Sequence, residues 1–261
     1  MQFVIIGAGN VAHHLAQALK NNNHEIVQVY SRTEQSARQL AEICNASYTN
    51  NFKNIIDISG IYVFSLSDDA NSELIPKFPY KNKKIIHTSG SINANIFDVI
   101  TSDYGVLYPL QSLKKDIAIE INQIPFLIEA SNSKFLNKIE EIVKSIGANY
   151  SEANSEQRLW AHISAVFACN FSNHLLAIAN EIAEKNNIPF SLLHPLIDYT
   201  FKRSLSNNPK LVQTGPAHRN DHSIMQKHID LLHEKFNVYE NLYKIISSSI
   251  FEMYNNDKEE K

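Results

Sequence analysis

Apolar and polar positions along the chain keep two rhythms. Residues 3–6 (FVII) form an unbroken apolar run, and residues 11–20 then carry apolar side chains at helical spacing. A short apolar run closed by a glycine turn predicts a buried strand, and a 3.6-residue period predicts an amphipathic helix. The alternation continues with strands over 25–30, 61–66, 84–88, 104–107 and 125–129. Helices fall over 34–44, 72–78, 94–100 and 135–146, the last closed by Gly147 as a C-terminal cap. Strands alternating with helices predict βαβ units and a mostly parallel sheet.

The rhythm changes near residue 151, after which no strand pattern recurs. One long helix is expected over 155–185 and another over 191–205, with Pro189 before it and Pro195 placed to kink or restart it. Residues 221–235 and 237–254 read as a closing helical pair. The expected fold class is therefore an α/β domain over 1–150, followed by an all-helical domain over 151–254 and a charged tail over 255–261. No solenoid repeat is present.

At about 100° per residue, Trp160, Ile163, Phe167, Phe171, His174 and Ile178 share one broad face of the long helix. That face is expected to be core. His162, Cys169, Asn173 and Asn180 form a polar stripe flanked by small or apolar residues, with Cys169 read as a small buried side chain. Two apolar-flanked faces are more than one small domain covers, so a homodimer through the helical domain is expected.

Composition narrows the function classes. Net charge is −3 and no basic stripe is present, which argues against nucleic acid and anionic membranes as partners. The two cysteines, Cys44 and Cys169, have neither disulfide-framework nor metal-ligand spacing, so no metal is expected. No apolar run is long enough to span a bilayer, and no charged n-region precedes an apolar h-region. A cytoplasmic protein is expected.

The first strand runs into Gly7, Gly9 and Ala12, a G-x-G-x-x-A pattern. Gly7 permits a tight strand-to-helix turn, Gly9 lets a pyrophosphate approach the backbone, and Ala12 lets helix and strand pack closely. Asn10 and Val11 then open a helix whose free N–H groups and partial positive charge suit phosphate. The alternative is an ordinary tight turn without a ligand. After the second strand, Ser31, Arg32 and Thr33 stand where an NAD site carries an acid for the ribose hydroxyls. A guanidinium there suits a 2′-phosphate and selects NADP, unless Arg32 is only a surface charge.

Two further strand ends face the same crevice. "FSLSDD" brings Leu66 and Ser67 to the cofactor, and "IIHTSGS" brings Thr88 and Ser89 to it, with His87 near the nicotinamide. His87 is equally a half-buried histidine satisfied by backbone. In the helical domain, His162 is the acid–base candidate by type, because its ordinary pKa lies near working pH. Eleven residues on, Asn173 realigns with it on a straight helix and is placed to orient substrate. The competing role of His162 is to order an inter-helix hydrogen bond. "QTGPAHRNDHS" offers Thr214 and Arg219 as an anion or carboxylate site, while Asn220 or Asp221 caps the next helix.

The order "GAGNVA", "YSRT", "HTSGS", "YPLQS", "IPFLIEA", "HISAVFACNFSNHL" and "QTGPAHRND" resembles the short-subunit dehydrogenase-like oxidoreductases, which join a Rossmann-like domain to a C-terminal domain of unknown function. More distantly, the layout is similar to pyrroline-carboxylate reductase, coenzyme F420-dependent NADP oxidoreductases and prephenate dehydrogenase. The resemblance implies an NADP-dependent enzyme, with a small-molecule substrate between the two domains and a helical domain that builds a dimer. Tyr108 stands where prephenate dehydrogenase has a His, and the turn at 213–221 departs from that of pyrroline-carboxylate reductase, so neither substrate is implied. Gln111 in "YPLQ" joins the substrate candidates. The expected reaction is hydride transfer to or from a small carbonyl, imine or hydroxy compound, with His162 or His87 relaying a proton. The competing reading is a non-catalytic NADP(H) sensor or scaffold.

Overall fold

The computed structural model describes residues 1–255. Two compact units divide the chain, the first Met1–Ser172 and the second beginning at Asn173. The part of the expected charged tail from residue 256 on lies outside the described residues.

In the first unit, eight strands form one sheet: β1 (Gln2–Ile6), β2 (Glu25–Tyr30), β3 (Ser47–Thr49), β4 (Ile61–Phe64), β5 (Lys84–His87), β6 (Tyr104–Pro109), β7 (Pro125–Ala130) and β8 (Asn149–Glu152). Their order is β3-β2-β1-β4-β5-β6-β7-β8. All neighbouring pairs are parallel except β6 and β7. The α/β fold class expected from the alternating pattern is the one found, a mostly parallel sheet followed by a helical region.

Four helices interleave with the strands: α1 (Asn10–Asn21), α2 (Glu34–Cys44), α3 (Asp68–Leu74) and α4 (Ser133–Ser145). Successive β1 side chains serve opposite faces, as the two-residue strand period requires. Phe3 and Ile5 pack with Leu15, Leu40 and Ile139, from α1, α2 and α4. Val4 and Ile6 pack with Leu74, Phe78 and Phe97 on the other face. Covering both faces explains why these strands read as continuous apolar runs. The strand order reverses between β1 and β4, and ligands of open α/β sheets bind at the carboxyl ends of strands beside such a switch.

Several local expectations change. β3 ("SYT") and β8 ("NYSE") form the two edges of the sheet, where three or four polar-rich residues carry no apolar run to read. The short helix expected over 72–78 begins earlier, at Asp68, and continues as a 3₁₀ turn over Ile75–Lys77. The helix expected over 94–100 is a single 3₁₀ turn, Ala94–Phe97.

The long helix is three pieces: α5 (Ser155–Ala165), a π-helical stretch Val166–Phe171, and α6 (Ser172–Lys185). A capping box starts α5. The Gln157 amide N–H donates to Asn154 Oδ1 at 2.9 Å, and the Asn154 N–H donates to Gln157 Oε1 at 3.0 Å. Each π turn adds about one residue to the helical repeat, so the 3.6 period that would align His162 with Asn173 is interrupted.

The second unit holds α6, α7 (His194–Ser206), α8 (His222–Lys235) and α9 (Asn237–Asn255). Pro195 sits in the first turn of α7, so it starts a helix and does not kink one. Asp221, not Asn220, caps α8, accepting from the Ile224 N–H at 3.3 Å. The face expected to be core is covered only in part: Ile178 is buried and Ile163 half-buried, but Trp160 is 60% exposed and Phe167 66%, and Phe171 and His174 are exposed as well. Cys169 is exposed too, against its expected burial. Periodicity identified an apolar face correctly, but the described residues leave its aromatic part uncovered. No helix among the described residues is long and apolar enough to cross a membrane.

Candidate functional site

The glycine turn after β1 has two glycines with different reasons to exist. Gly7 has φ +116°, and a Cβ there would lie 2.1 Å from the Ser65 carbonyl oxygen at the end of β4. Its N–H donates to the Tyr30 carbonyl at 2.8 Å, so the ends of β1, β2 and β4 meet at this residue. Gly9 is exposed, and a Cβ there would meet nothing within 4 Å. Gly9 also precedes α1 without a side-chain cap, and the first turn carries no acid. Asn10 is exposed and Val11 half-buried. Open backbone, uncapped N–H groups and a positive helix end fit a dinucleotide pyrophosphate. The Asn10 side chain is partly committed, since its Oδ1 accepts from the Lys115 N–H at 3.1 Å.

At the end of β2, Ser31 is half-buried and Arg32 and Thr33 are exposed. Arg32 has no ion-pair partner among the described residues. Thr33 precedes α2, and its hydroxyl donates to Ser36 Oγ at 2.8 Å. At the end of β4, Leu66 is half-buried and Ser67 exposed, opening α3.

The strongest local constellation lies at the carboxyl ends of β5 and β6. Tyr108, near the end of β6, places its hydroxyl 2.9 Å from Nδ1 of His162 on α5. Gly90, just past β5, is pressed between them: a Cβ there would lie 2.8 Å from Tyr108 Cζ and 3.0 Å from His162 Cγ and Nδ1. Burial holds the Tyr108 phenol above its usual pKa, with the Arg158 charge pulling the other way, so the phenol keeps its proton at neutral pH.

Arg158, one turn before His162, is fully buried. Its Nη1 donates to Glu129 Oε2 and its Nη2 to the Ile92 carbonyl. Ser155 Oγ donates to the same Glu129 oxygen at 2.8 Å and accepts from the Ala94 N–H at 3.1 Å. These bonds tie the first turn of α5 to β7 and to the loop after β5, and so set the height of His162 against Tyr108.

Residues 2–89 match the family described as NADP oxidoreductase, coenzyme F420-dependent, and residues 124–250 match a domain of unknown function, DUF2520. BF3122 of Bacteroides fragilis, designated an NADP oxidoreductase, is 39% identical over 96% of this chain and 98% of its own, with a TM-score of 0.88. The chain belongs to this NADP oxidoreductase family. TM1727 of Thermotoga maritima shares the fold at 20% identity, over 98% of this chain and 99% of its own, with a TM-score of 0.70. An imine reductase from Myxococcus stipitatus, solved with NADP+, does so at 17% identity over 97% and 93%, also with a TM-score of 0.70. No curated protein matches the chain.

Within the first unit, the remaining candidates sort by exposure. His87 has no exposed surface, and its ring centroid lies 5.8 Å from that of Phe97. Its Nδ1 accepts from the Ser89 N–H at 3.1 Å, and its Nε2 is buried without a partner. Burial first, and the Arg158 charge second, push its pKa down to about 3. His87 is thus a neutral core histidine and not the proton relay expected of it. Thr88 is buried too, and its hydroxyl is spent on Ser65 Oγ at 3.1 Å, joining β5 to β4 instead of facing a cofactor. Ser89 is half-buried, and its hydroxyl donates to Asp68 Oδ1 at 2.8 Å. Gln111 is exposed just past β6, with its Oε1 accepting from the Ser112 N–H at 2.8 Å.

In the second unit, Asn173 is exposed at the start of α6 and Arg219 is exposed in the turn before α8. Thr214 is among the residues around a largely apolar cavity of about 310 Å³, with Ile178, Leu232 and Ile246. Sequence reasoning missed Gly90, Glu129 and Arg158, and it read Tyr108 only through a resemblance. The available signal was an acid closing the apolar strand "PFLIE" and an arginine four residues before a candidate histidine. No group of three metal-binding side chains is gathered among the described residues.

Proposed function

We propose that the protein is an NADP(H)-dependent reductase acting on a small carbonyl or imine compound. The observation that carries this reading is the pairing, on one carboxyl edge of one sheet, of an open glycine turn with the tethered imidazole of His162. Gly7, Gly9 and the N-terminus of α1 hold the pyrophosphate, Ser31 and Arg32 select the 2′-phosphate, and Leu66 and Ser67 line the path between. NADPH, when bound, supplies the hydride. His162 provides an N–H at the atom that gains negative charge as that hydride arrives, and gives up a proton there when it is charged. Asn173, Thr214, Gln111 and Arg219 are proposed to orient substrate. Imines head the candidate list, since the imine reductase that shares the fold was solved with NADP+.

The exposed apolar face that includes Trp160, Phe167 and Phe171 supports a homodimer, because exposed patches of this kind mark association surfaces. The function is tested by NADPH oxidation against a panel of imines, keto acids and aldehydes. At least one member is expected to turn over, and His162→Ala is expected to lose turnover while keeping NADPH affinity. Tight NADPH binding with no turnover across the panel would favour a sensor.

A further inference from the structure

We propose that Tyr108 is the positioning residue of this site, fixing His162 so that, in the resting neutral ring, the outer nitrogen Nε2 carries the hydrogen. The proposal rests on the reading of His162 as the polar group of a reductase. A neutral imidazole has one N–H, and which nitrogen bears it is set by the bond the other nitrogen makes. Here that other nitrogen is Nδ1, 2.9 Å from the Tyr108 hydroxyl.

The phenol sits in a half-buried position that disfavours its ionised form, so it has a proton to give. It donates that proton to the Nδ1 lone pair, which leaves the neutral ring protonated on Nε2. When His162 is charged, both ring nitrogens carry hydrogen, and Nδ1–H donates to the Tyr108 oxygen instead. A phenol is a better donor than acceptor and the imidazole lone pair a strong acceptor, so the neutral ring takes the O–H at Nδ1, while the weaker Nδ1–H to oxygen bond keeps the contact when the ring is charged. A carboxylate, which only accepts, would select the opposite neutral tautomer, as second-sphere carboxylates do for histidines elsewhere.

Packing makes the arrangement specific. Gly90 leaves room for the two rings to approach, because a Cβ there would lie 2.8 Å from the Tyr108 ring and 3.0 Å from the imidazole. The rings meet edge to face, with centroids 6.0 Å apart. Arg158, buried four residues earlier, holds α5 against Glu129 and the Ile92 carbonyl. The imidazole is therefore fixed from three sides.

The consequence is a choice of the group that the resting site receives. A resting ring with its hydrogen on Nε2 is matched to a lone pair: the oxygen of a carbonyl or the nitrogen of an imine. It is mismatched to an alcohol or amine whose proton must be removed, because that step needs a bare nitrogen lone pair. The resting site is thus set to donate a hydrogen bond to a C=O or C=N group.

Nitrogen-15 NMR of the full chain labelled at histidine tests this without any substrate. The His162 signals are identified by their absence in His162→Gln. In the parent protein, recorded at a pH raised until its signals stop moving, His162 is expected to show an unprotonated Nδ1 and a protonated Nε2. Tyr108→Phe keeps the ring against Gly90 and removes only the hydroxyl. It is expected to shift His162 towards a mixture of both tautomers while NADPH affinity holds. A parent spectrum showing Nδ1–H or a mixture overturns the proposal, and so does an unchanged tautomer in Tyr108→Phe. If Tyr108→Phe fails to fold, the parent spectrum alone decides. The readout is independent of turnover, so the tautomer stands or falls apart from the reductase reading.

Discussion

Arg158 and Glu129 form an ion pair that fastens α5 to β7 one helical turn from His162. The Arg158 side chain is 1% exposed and that of Glu129 22%, so the arginine charge has little water to fall back on. Its Nε is already buried without a partner. Removing one member of a buried pair typically costs about 3–5 kcal/mol, whereas replacing both by apolar groups costs far less. Glu129→Ala is therefore expected to lower the melting temperature by roughly 10 °C for a chain of this size. Glu129→Leu combined with Arg158→Met is expected to recover most of that loss. Calorimetry checks both, and a single variant as stable as the parent would show that the pair does not hold α5.

The two glycines of the first turn are expected to fail in different ways. Gly7→Ala forces a Cβ to 2.1 Å from the Ser65 carbonyl at a positive φ, so the variant is expected to misfold or to melt far below the parent. Gly9→Ala meets no atom within 4 Å and is expected to melt like the parent. Its methyl group would stand in the way of the pyrophosphate, so NADPH affinity is expected to drop at least ~10-fold, about 1.4 kcal/mol. Melting curves and fluorescence titration with NADPH separate the two outcomes, and normal affinity in Gly9→Ala would remove the cradle from the proposed site.

How far the sequence carried is clearest at these positions. The strand before Gly7 and the helix after Gly9 were legible because burial on both sheet faces leaves an apolar run, and one covered helix face leaves a 3.6-residue period. The edge strands β3 and β8 bury little and left no pattern. The π stretch at Val166–Phe171 was illegible because a lengthened turn keeps the same residue types and changes only the ladder. His162 stood out by type, but its partner Tyr108 lies 54 residues earlier. Local pattern carries no signal across that separation. His87 misled for the opposite reason: it ends a strand aimed at the crevice, and only the packed structure shows the ring turned into the core.

Cofactor choice is expected to follow Arg32. A guanidinium on a 2′-phosphate makes charge-assisted bonds worth about 1.5–3 kcal/mol. Arg32→Ala is therefore expected to weaken NADPH binding roughly 10- to 100-fold while NADH binding changes little. Dissociation constants for both reduced cofactors check this. Equal losses for the two, or a parent protein that prefers NADH, would overturn the assignment.

The buried His87 is expected to make stability depend on acid. Its folded pKa, about 3, lies well below the ordinary histidine value near 6.5. Above about pH 6.5 neither state binds the proton, and the full stability is present. Between about 6.5 and 3 the unfolded chain takes up a proton that the folded chain refuses, so stability falls as pH drops, by up to ~1.4 kcal/mol per pH unit from this one group. His87→Asn keeps an acceptor for the Ser89 N–H and does not titrate. The gap between parent and variant urea midpoints is therefore expected to shift in favour of the variant on going from about pH 7 to pH 5. A gap that stays constant would show that His87 takes up its proton in the folded state.

The proposed dimer has a built-in reporter, because Trp160 is the chain's single tryptophan and is 60% exposed in the isolated chain. Its neighbours on the same open face, Phe167 and Phe171, stack edge to face with ring centroids 5.1 Å apart and are likewise uncovered. A stable homodimer buries about 800 Å² per partner and draws on aromatic side chains at its centre. If this face is the contact, Trp160 emission is expected to be blue-shifted and poorly quenched by iodide at high protein concentration. It should move to the red and become quenchable on dilution through the dissociation constant. Trp160→Phe would remove the signal, and Phe167→Glu is expected to give the water-exposed spectrum and a monomer mass by light scattering at every concentration. Emission characteristic of water at all concentrations, together with a monomer mass for the parent, would mean that the open face does not pair two copies of this chain.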